Sequence, residues 1–270
     1  MFNKNLDVVR KTIEKLLKIP VISKLPLSKK NKKRIAFTLA EVLITLLIIG
    51  IVASLIIPAI INDTQKAEYV AKLKKESAVL QQAFKLLALD AGGSILNNPN
   101  FNCSGSSSFC NTTVSANAMN DFATKLNVVK NCGTGMGCWY NSPRNYLGGN
   151  IEYPNYDSFV NGNDGKAILA DGTMMIVEIF SSNCGINFLG SPPVDSPLYH
   201  SNCGIIGIDI NGASGPNRSG RDYFLFHITK TGIYPFGIYN DGWKCEVNSS
   251  SGGTSHGCAG KILSEGAMNY

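Results

Sequence analysis

Charge is scarce in this 270-residue chain. Only 16% of its residues are Asp, Glu, Lys or Arg, against 44% hydrophobic. That balance excludes a disordered chain. The 27 glycines follow no three-residue period, and there are only 11 prolines, which excludes a collagen-like one. Histidine is rarer still, with His200, His227 and His256 scattered through the second half. No G-x-S-x-G, P-loop or H-E-x-x-H is present. No catalytic residue, cofactor or metal is assigned on this basis. No cysteine precedes Cys103, and no C-x-x-C pair of the kind that holds zinc follows it.

The charge that exists is unevenly placed. Residues 1–36 hold 11 of the 25 Lys and Arg, with Asp7 and Glu14 as their only acids. The remainder carries 14 basic and 17 acidic groups, so the basic pI belongs to the leader. A nucleic-acid partner would need a basic face on the folded part, so none is expected. Within the leader, Leu6, Val9, Ile13, Leu16 and Leu17 form an apolar stripe among Lys and Arg. It reads either as an amphipathic helix on an anionic leaflet or as a tail that is removed.

From Phe37 to Ile61 the sequence reads FTLAEVLITLLIIGIVASLIIPAII, 25 residues with Glu41 as the one charge. Val42–Ile61 has none, enough helix to cross a ~30 Å hydrocarbon core. A cleaved secretory signal has a shorter apolar run and a small-residue cut after it. Lys29, Lys30, Lys32, Lys33 and Arg34 keep the upstream side cytoplasmic. The downstream part then faces an oxidising compartment, where eight cysteines become disulfides. Sequential neighbours give Cys103–Cys110, Cys132–Cys138, Cys184–Cys203 and Cys245–Cys258. A carboxylate at the end of an apolar helix is costly and asks for a partner.

Lys32-Lys33-Arg34-Ile35-Ala36, then Phe37-Thr38-Leu39-Ala40-Glu41, then the apolar run, resemble the leader of type IV prepilins and type II secretion pseudopilins. The resemblance implies cleavage by a membrane prepilin peptidase/methyltransferase between Ala36 and Phe37, and N-methylation of Phe37. It makes Glu41 the fifth mature residue and an assembly group. It places Gly50 and Pro58 where family members loosen or kink the helix. The family usually has Gly before the cut, where this chain has Ala36, and leaders are usually shorter. The implied partners are the peptidase, other pilin or pseudopilin subunits, the membrane assembly platform and the lipid bilayer. The implied location is the bacterial inner membrane, spanned once, with the globular part periplasmic or extracellular. A non-polymerising, membrane-anchored binding protein is the alternative.

Physical chemistry supports the assembly role. In a helical filament, a neighbour's Phe37 amine would offset part of the desolvation of Glu41 and so fix the axial register.

Asn62–Asp90 continues as an amphipathic helix, with Val70, Leu73, Ser77, Leu80, Phe84 and Leu87 on one face and Ala91-Gly92-Gly93 as its stop. The whole helix, Thr38 to Asp90, would be roughly 80 Å long. Ser115–Val128 carries a helical pattern through Ala118, Phe122 and Leu126. Lys166–Ala170 and Thr173–Phe180 flank Asp171-Gly172, a hairpin signal. Cys203–Ile210, Asp222–Thr229 and Ile233–Ile238 read as further strands. Segments 93–113, 131–163 and 181–202 read as loops ordered by disulfides. Asp209-x-Asn211-Gly212 with Asp222 hints at a calcium loop, as in the C-terminal loop of major pseudopilins. Its glycine comes too early for an EF-hand, and Asx residues turn unaided. The expected class is α+β and pilin-like: one long N-terminal helix, membrane-spanning in its first half, on an antiparallel sheet with disulfide-stapled loops. The expected division is a leader (1–36), an apolar assembly helix (37–61), its amphipathic half (62–92) and a globular domain (93–270).

Overall fold

The computed structural model describes residues 38–101, 110, 112–140, 142–153, 164–187 and 192–270. The leader, the Ala36–Phe37 junction and Cys103 lie outside the described residues. The chain divides into two compact units, 1–55 and 56–270.

One helix, α1, runs from Leu39 to Asp90. It continues without a break past Gly50 and Pro58, so no turn of it is melted. In the first unit its side chains are exposed from Leu39 to Leu55, apart from half-buried Ala53. Its best 18-residue window has a mean hydropathy of 2.9 with nothing buried, which is long and apolar enough to cross a membrane.

The second unit is built on a six-stranded antiparallel sheet. In chain order its strands are β1 (Val128–Gly133), β4 (Gly165–Leu169), β5 (Met174–Ile179), β6 (Asn202–Asp209), β7 (Tyr223–Thr229) and β8 (Ile233–Pro235), and they pair in that order. A two-stranded ribbon, β2 (Arg144–Asn145) with β3 (Ile151–Tyr153), lies in the long β1–β4 connection. The β4–β5 hairpin turns at Asp171-Gly172, with Gly172 at φ 87°. The strands expected around 166–180, 203–210 and 222–229 form within about a residue of their expected ends.

The α1 stripe docks on one face of this sheet. Tyr69, Val70, Leu73, Leu80, Ala83, Phe84 and Leu87 share a core with Met175, Val177, Ile206, Ile208, Phe224 and Phe226. Ser77 is only half-buried, whereas Glu76 is 1% exposed, so the carboxylate takes the place expected for the serine. The reason is helical period: from Leu73, steps of three and four reach Glu76, Leu80, Ala83 and Leu87. Helix α2 (Thr112–Ala123) starts earlier and stops sooner than its sequence pattern, because Val128 enters β1. Phe101 meets Phe122 edge-on at 5.7 Å beneath it.

The opposite face of the sheet is also buried. Trp139, Tyr140, Tyr223, Leu225 and Phe236 form a second core with Met174 and Ile176. Trp139 and Tyr140 come from the segment read as a loop over 131–163, and Phe236 from the strand expected over Ile233–Ile238, which ends at Pro235. Every residue of β7 is buried, as its unbroken apolar run requires. A short helix, α3 (Gly252–Ser255), precedes α4 (Cys258–Glu265), which the sequence reading did not include. Helix α4 buries Cys258, Ala259 and Ile262 and ends on left-handed Gly266, whose N–H bonds the Ile262 carbonyl.

Among the described residues, three disulfides join neighbours in chain order: Cys132–Cys138, Cys184–Cys203 and Cys245–Cys258. The expected Cys103–Cys110 pair involves a residue outside the described set.

Candidate assembly site and the buried polar clusters

In the first unit, Thr38 and Glu41 begin α1 together. The Thr38 N–H and hydroxyl each donate to Glu41 Oε2 at 2.9 Å, and the Glu41 N–H donates to Thr38 Oγ1 at 3.3 Å. This is a capping box, in which a Thr and a Glu three residues on satisfy each other's orphan donors at a helix start. The T-x-x-E spacing that produces it is visible in the sequence. Glu41 is exposed in the single chain, and Gly50 has open space around its Cα. Ala36 and Phe37, the expected cleavage and methylation residues, lie outside the described set.

In the second unit, four groups of polar residues bear on the expected site residues and on the docking of α1. The first ties α1 to the β4–β5 turn. Lys75 Nζ lies 3.1 Å from Glu76 Oε1 and also bonds Asp171 Oδ2. Burial first, then the hydrogen bond and charge of Asp171, push Glu76 up to about 7. Burial alone would raise Asp171, but hydrogen bonds from Lys75, Glu76 and Thr173 hold it well below the usual carboxylate range. Glu76 is not among the residues expected on the buried face of α1; the three-residue step from Leu73 is the signal for it.

The second group holds the β2–β3 ribbon. Arg144 donates through Nε and Nη2 to the two oxygens of Glu152, each at 3.1 Å. Ser219 Oγ donates to Glu152 Oε2 at 2.5 Å, and His256 Nε2 lies 2.7 Å from Oε1. The Arg144 guanidinium sits 3.8 Å over the Tyr223 ring. Burial opposes ionisation of Glu152, yet Arg144, His256 and Ser219 outweigh it and hold the group at about 2. Serine, histidine and carboxylate meet here, but Ser219 and His256 both bond the same carboxylate. No nucleophile faces a base in the manner of a catalytic triad.

The third group contains His227. The Asn202 amide donates to Nδ1 at 2.7 Å and Nε2 lies 2.9 Å from Asp241 Oδ2. The ring stacks on Phe236 at 4.0 Å. Burial pushes the His227 pKa down in spite of Asp241. The imidazole is therefore neutral, with its proton on Nε2. This is a packed strand histidine.

The fourth group is the loop that suggested calcium. Asp209 and Asp222 are both fully buried. Burial, then the Asp222 charge, push Asp209 far above the carboxylate range. Asp222 accepts the Asn217 and Arg218 N–H groups at 2.8 and 2.5 Å. The Asn211 amide donates to the Tyr69 hydroxyl and the Gly215 carbonyl. The loop thus anchors itself and α1. Asp209 pairs with Tyr223 across β6–β7, while His227 pairs with Ile205. That separates His227 from Asp209 by four strand positions, roughly 13 Å. His227 therefore does not converge with Asp209 and Asp222. Among the described residues, no group of three or more His, Cys, Asp or Glu is placed to hold a metal ion.

Comparison with curated proteins and with solved structures gives no match. Residues 31–57 match the prokaryotic N-terminal methylation motif, the prepilin-type cleavage and methylation signal. Together with the pilin-like α+β fold, this match supports a pilin-like or pseudopilin substrate of prepilin peptidase, a structural subunit in kind.

Proposed function

We propose that the chain is a structural subunit of a type IV pilus or a type II secretion pseudopilus. The peptidase cuts it between Ala36 and Phe37, methylates Phe37, and leaves α1 to polymerise. The observation that carries this reading is the methylation motif at 31–57, which takes in the start of a helix whose first 17 residues bury almost nothing. An exposed apolar face of that length asks for lipid before assembly and for other helices after it. Glu41 pairs with the Phe37 amine of a neighbouring subunit and sets the axial register. Gly50 and Pro58 give the helix freedom to bend on entering the bundle.

The basic leader stays in the cytoplasm and the disulfide-bonded unit lies outside the inner membrane. Three disulfides support that side assignment, since they persist in oxidising compartments.

A second reading, an anchored binding protein that stays monomeric, draws on the capping box. Glu41 is satisfied within its own chain there and asks for no neighbour. The mature N-terminus, read by mass spectrometry on protein from membranes or sheared filaments, is the first test. N-methyl-Phe37 is expected. An intact Met1, or a cut beyond the apolar run, overturns the processing on which polymerisation depends.

A further inference from the structure

Asn-x-Ser/Thr is the tripeptide that accepts N-linked glycans where x is not Pro. It occurs five times in the chain, at Asn62, Asn102, Asn111, Asn217 and Asn248. Asn102 and Asn111 lie outside the described residues. The structure separates the other three. Asn62 sits on α1, and its Oδ1 accepts a hydrogen bond from Arg221 at 2.8 Å. Asn217 is 7% exposed, donates its amide to Ser142 Oγ at 3.0 Å, and spends its backbone N–H on Asp222. Asn248 is exposed, and its side-chain amide bonds no described residue.

The surroundings of Asn248 add to this. It occupies the third position of a turn closed by the Ser249 N–H on the Glu246 carbonyl at 3.1 Å. Glu246, Val247 and Asn248 within it and Ser250 just past it are all exposed. No described residue pairs with the Glu246 carboxylate, the Asn248 amide or the Ser250 hydroxyl. Between them, Ser249 is 3% exposed and fastened to Ser251, Thr254 and Ser255. The Cys245–Cys258 disulfide and the Glu246 N–H bond to Thr254 O fix the base. So the buried serine holds the turn while an acid, an amide and a hydroxyl around it are presented to solvent. Of the five tripeptides, only this one has an acid two residues before its Asn.

We propose that Asn248 is the acceptor of an N-linked glycan. The inference rests on the extracytoplasmic placement of the second unit. The donor is an oligosaccharide carried on a polyprenyl diphosphate. The Asn248 amide nitrogen bonds the anomeric carbon of the first sugar, and the bond from that carbon to the diphosphate oxygen breaks. The lipid diphosphate leaves with the electron pair, and the amide proton passes to a base of the transferase. Glu246 and Ser250 are the flanking groups the transferase reads.

The test is a peptide map by mass spectrometry of the full-length chain from its own cells, digested without reduction. The Asn248 peptide is expected to carry a mass increment of whole sugar residues. Asn248→Gln and Ser250→Ala should abolish the increment, while Ser250→Thr, Asn62→Gln and Asn217→Gln should keep it. An unmodified Asn248 in chains whose cysteines are disulfide-linked overturns the proposal. So does an increment that survives Asn248→Gln. The same map reports thiol state, so free thiols throughout would overturn the extracytoplasmic placement itself, and the proposal with it.

Discussion

Thr38 caps Glu41 and Glu41 caps Thr38: the carboxylate that a membrane helix ought not to carry is tied, at 2.9 Å, to the backbone and hydroxyl of the residue that starts the helix. The same carboxylate thus has a local use in the single chain and a proposed intermolecular use in the filament. The two uses separate chemically. A capping box accepts Gln in place of Glu, whereas pairing with an ammonium needs the charge. Glu41→Gln is expected to reach normal membrane levels and to give no sheared filaments or pseudopili. Breaking a buried pair at one partner typically costs about 3–5 kcal/mol. Glu41→Ala should additionally lose about 1 kcal/mol of helix-start stability. Filaments from Glu41→Gln at wild-type yield would leave capping as the whole role of the residue.

A second prediction concerns the tie between α1 and the β4–β5 turn. Glu76 is lifted to about 7 in the fold from an ordinary value of 4.5. The fold therefore binds its proton more tightly than the unfolded chain does. The resulting stabilisation is complete below 4.5 and disappears as pH rises through about 7. Asp171 has the opposite sign, losing its contribution only in acid, so the two windows do not overlap. Thermal unfolding of the detergent-solubilised chain should show a midpoint that falls as pH is raised through neutrality. Glu76→Gln, which keeps the hydrogen-bonding shape without the charge, should flatten that fall.

How much of this was legible in the sequence depended on the length and burial of each element. Helix α1 declared itself through an apolar run too long for a globular core and a stripe ending at Gly92-Gly93. Strands β4 to β7 declared themselves through continuous apolar runs flanked by turn residues. Edge strand β1 did not, because Val129, Lys130 and Asn131 are exposed and two register shifts interrupt its pairing. Strands β2 and β3 have only two and three residues, too few for a period. Helix α4 is eight residues long with Gly260 inside it, where the Gly260 N–H bonds Phe236 O. The second core was readable in principle. Tyr223–Thr229 is apolar without alternation, which means cover on both faces. What supplies the cover, Trp139 and Tyr140 from one loop and Phe236 from another, is a matter of tertiary placement that no local pattern encodes.

The Arg144–Glu152 pair pins the β2–β3 ribbon over that second core, and both side chains are nearly inaccessible. Removing one member strands the other in a dry site. Arg144→Ala and Glu152→Ala are each expected to cost about 3–5 kcal/mol in denaturant unfolding. Replacing both at once, as Arg144→Met with Glu152→Leu, should cost less than either single change, since no charge is then left buried. A double variant as unstable as the sum of the singles would mean that Ser219 and His256, not the charge pair, hold the ribbon.

The disulfides should differ in worth. Cys132–Cys138 closes a loop with a sequence separation of 6, against 13 for Cys245–Cys258 and 19 for Cys184–Cys203. Constraint of the unfolded chain grows with the logarithm of loop length, which favours the longest loop over the shortest by about 1 kcal/mol. Burial points the same way: Cys184 and Cys203 are both fully buried within the main core, whereas Cys132 is not. Cys-to-Ser replacement of the 184–203 pair is expected to cost about 2–5 kcal/mol, with the 132–138 pair costing least. Unfolding in denaturant of the three paired-Ser variants ranks them directly. If the 132–138 variant is the least stable, loop closure is not what that bond contributes, and its work lies in holding edge strand β1 against the segment that carries Trp139.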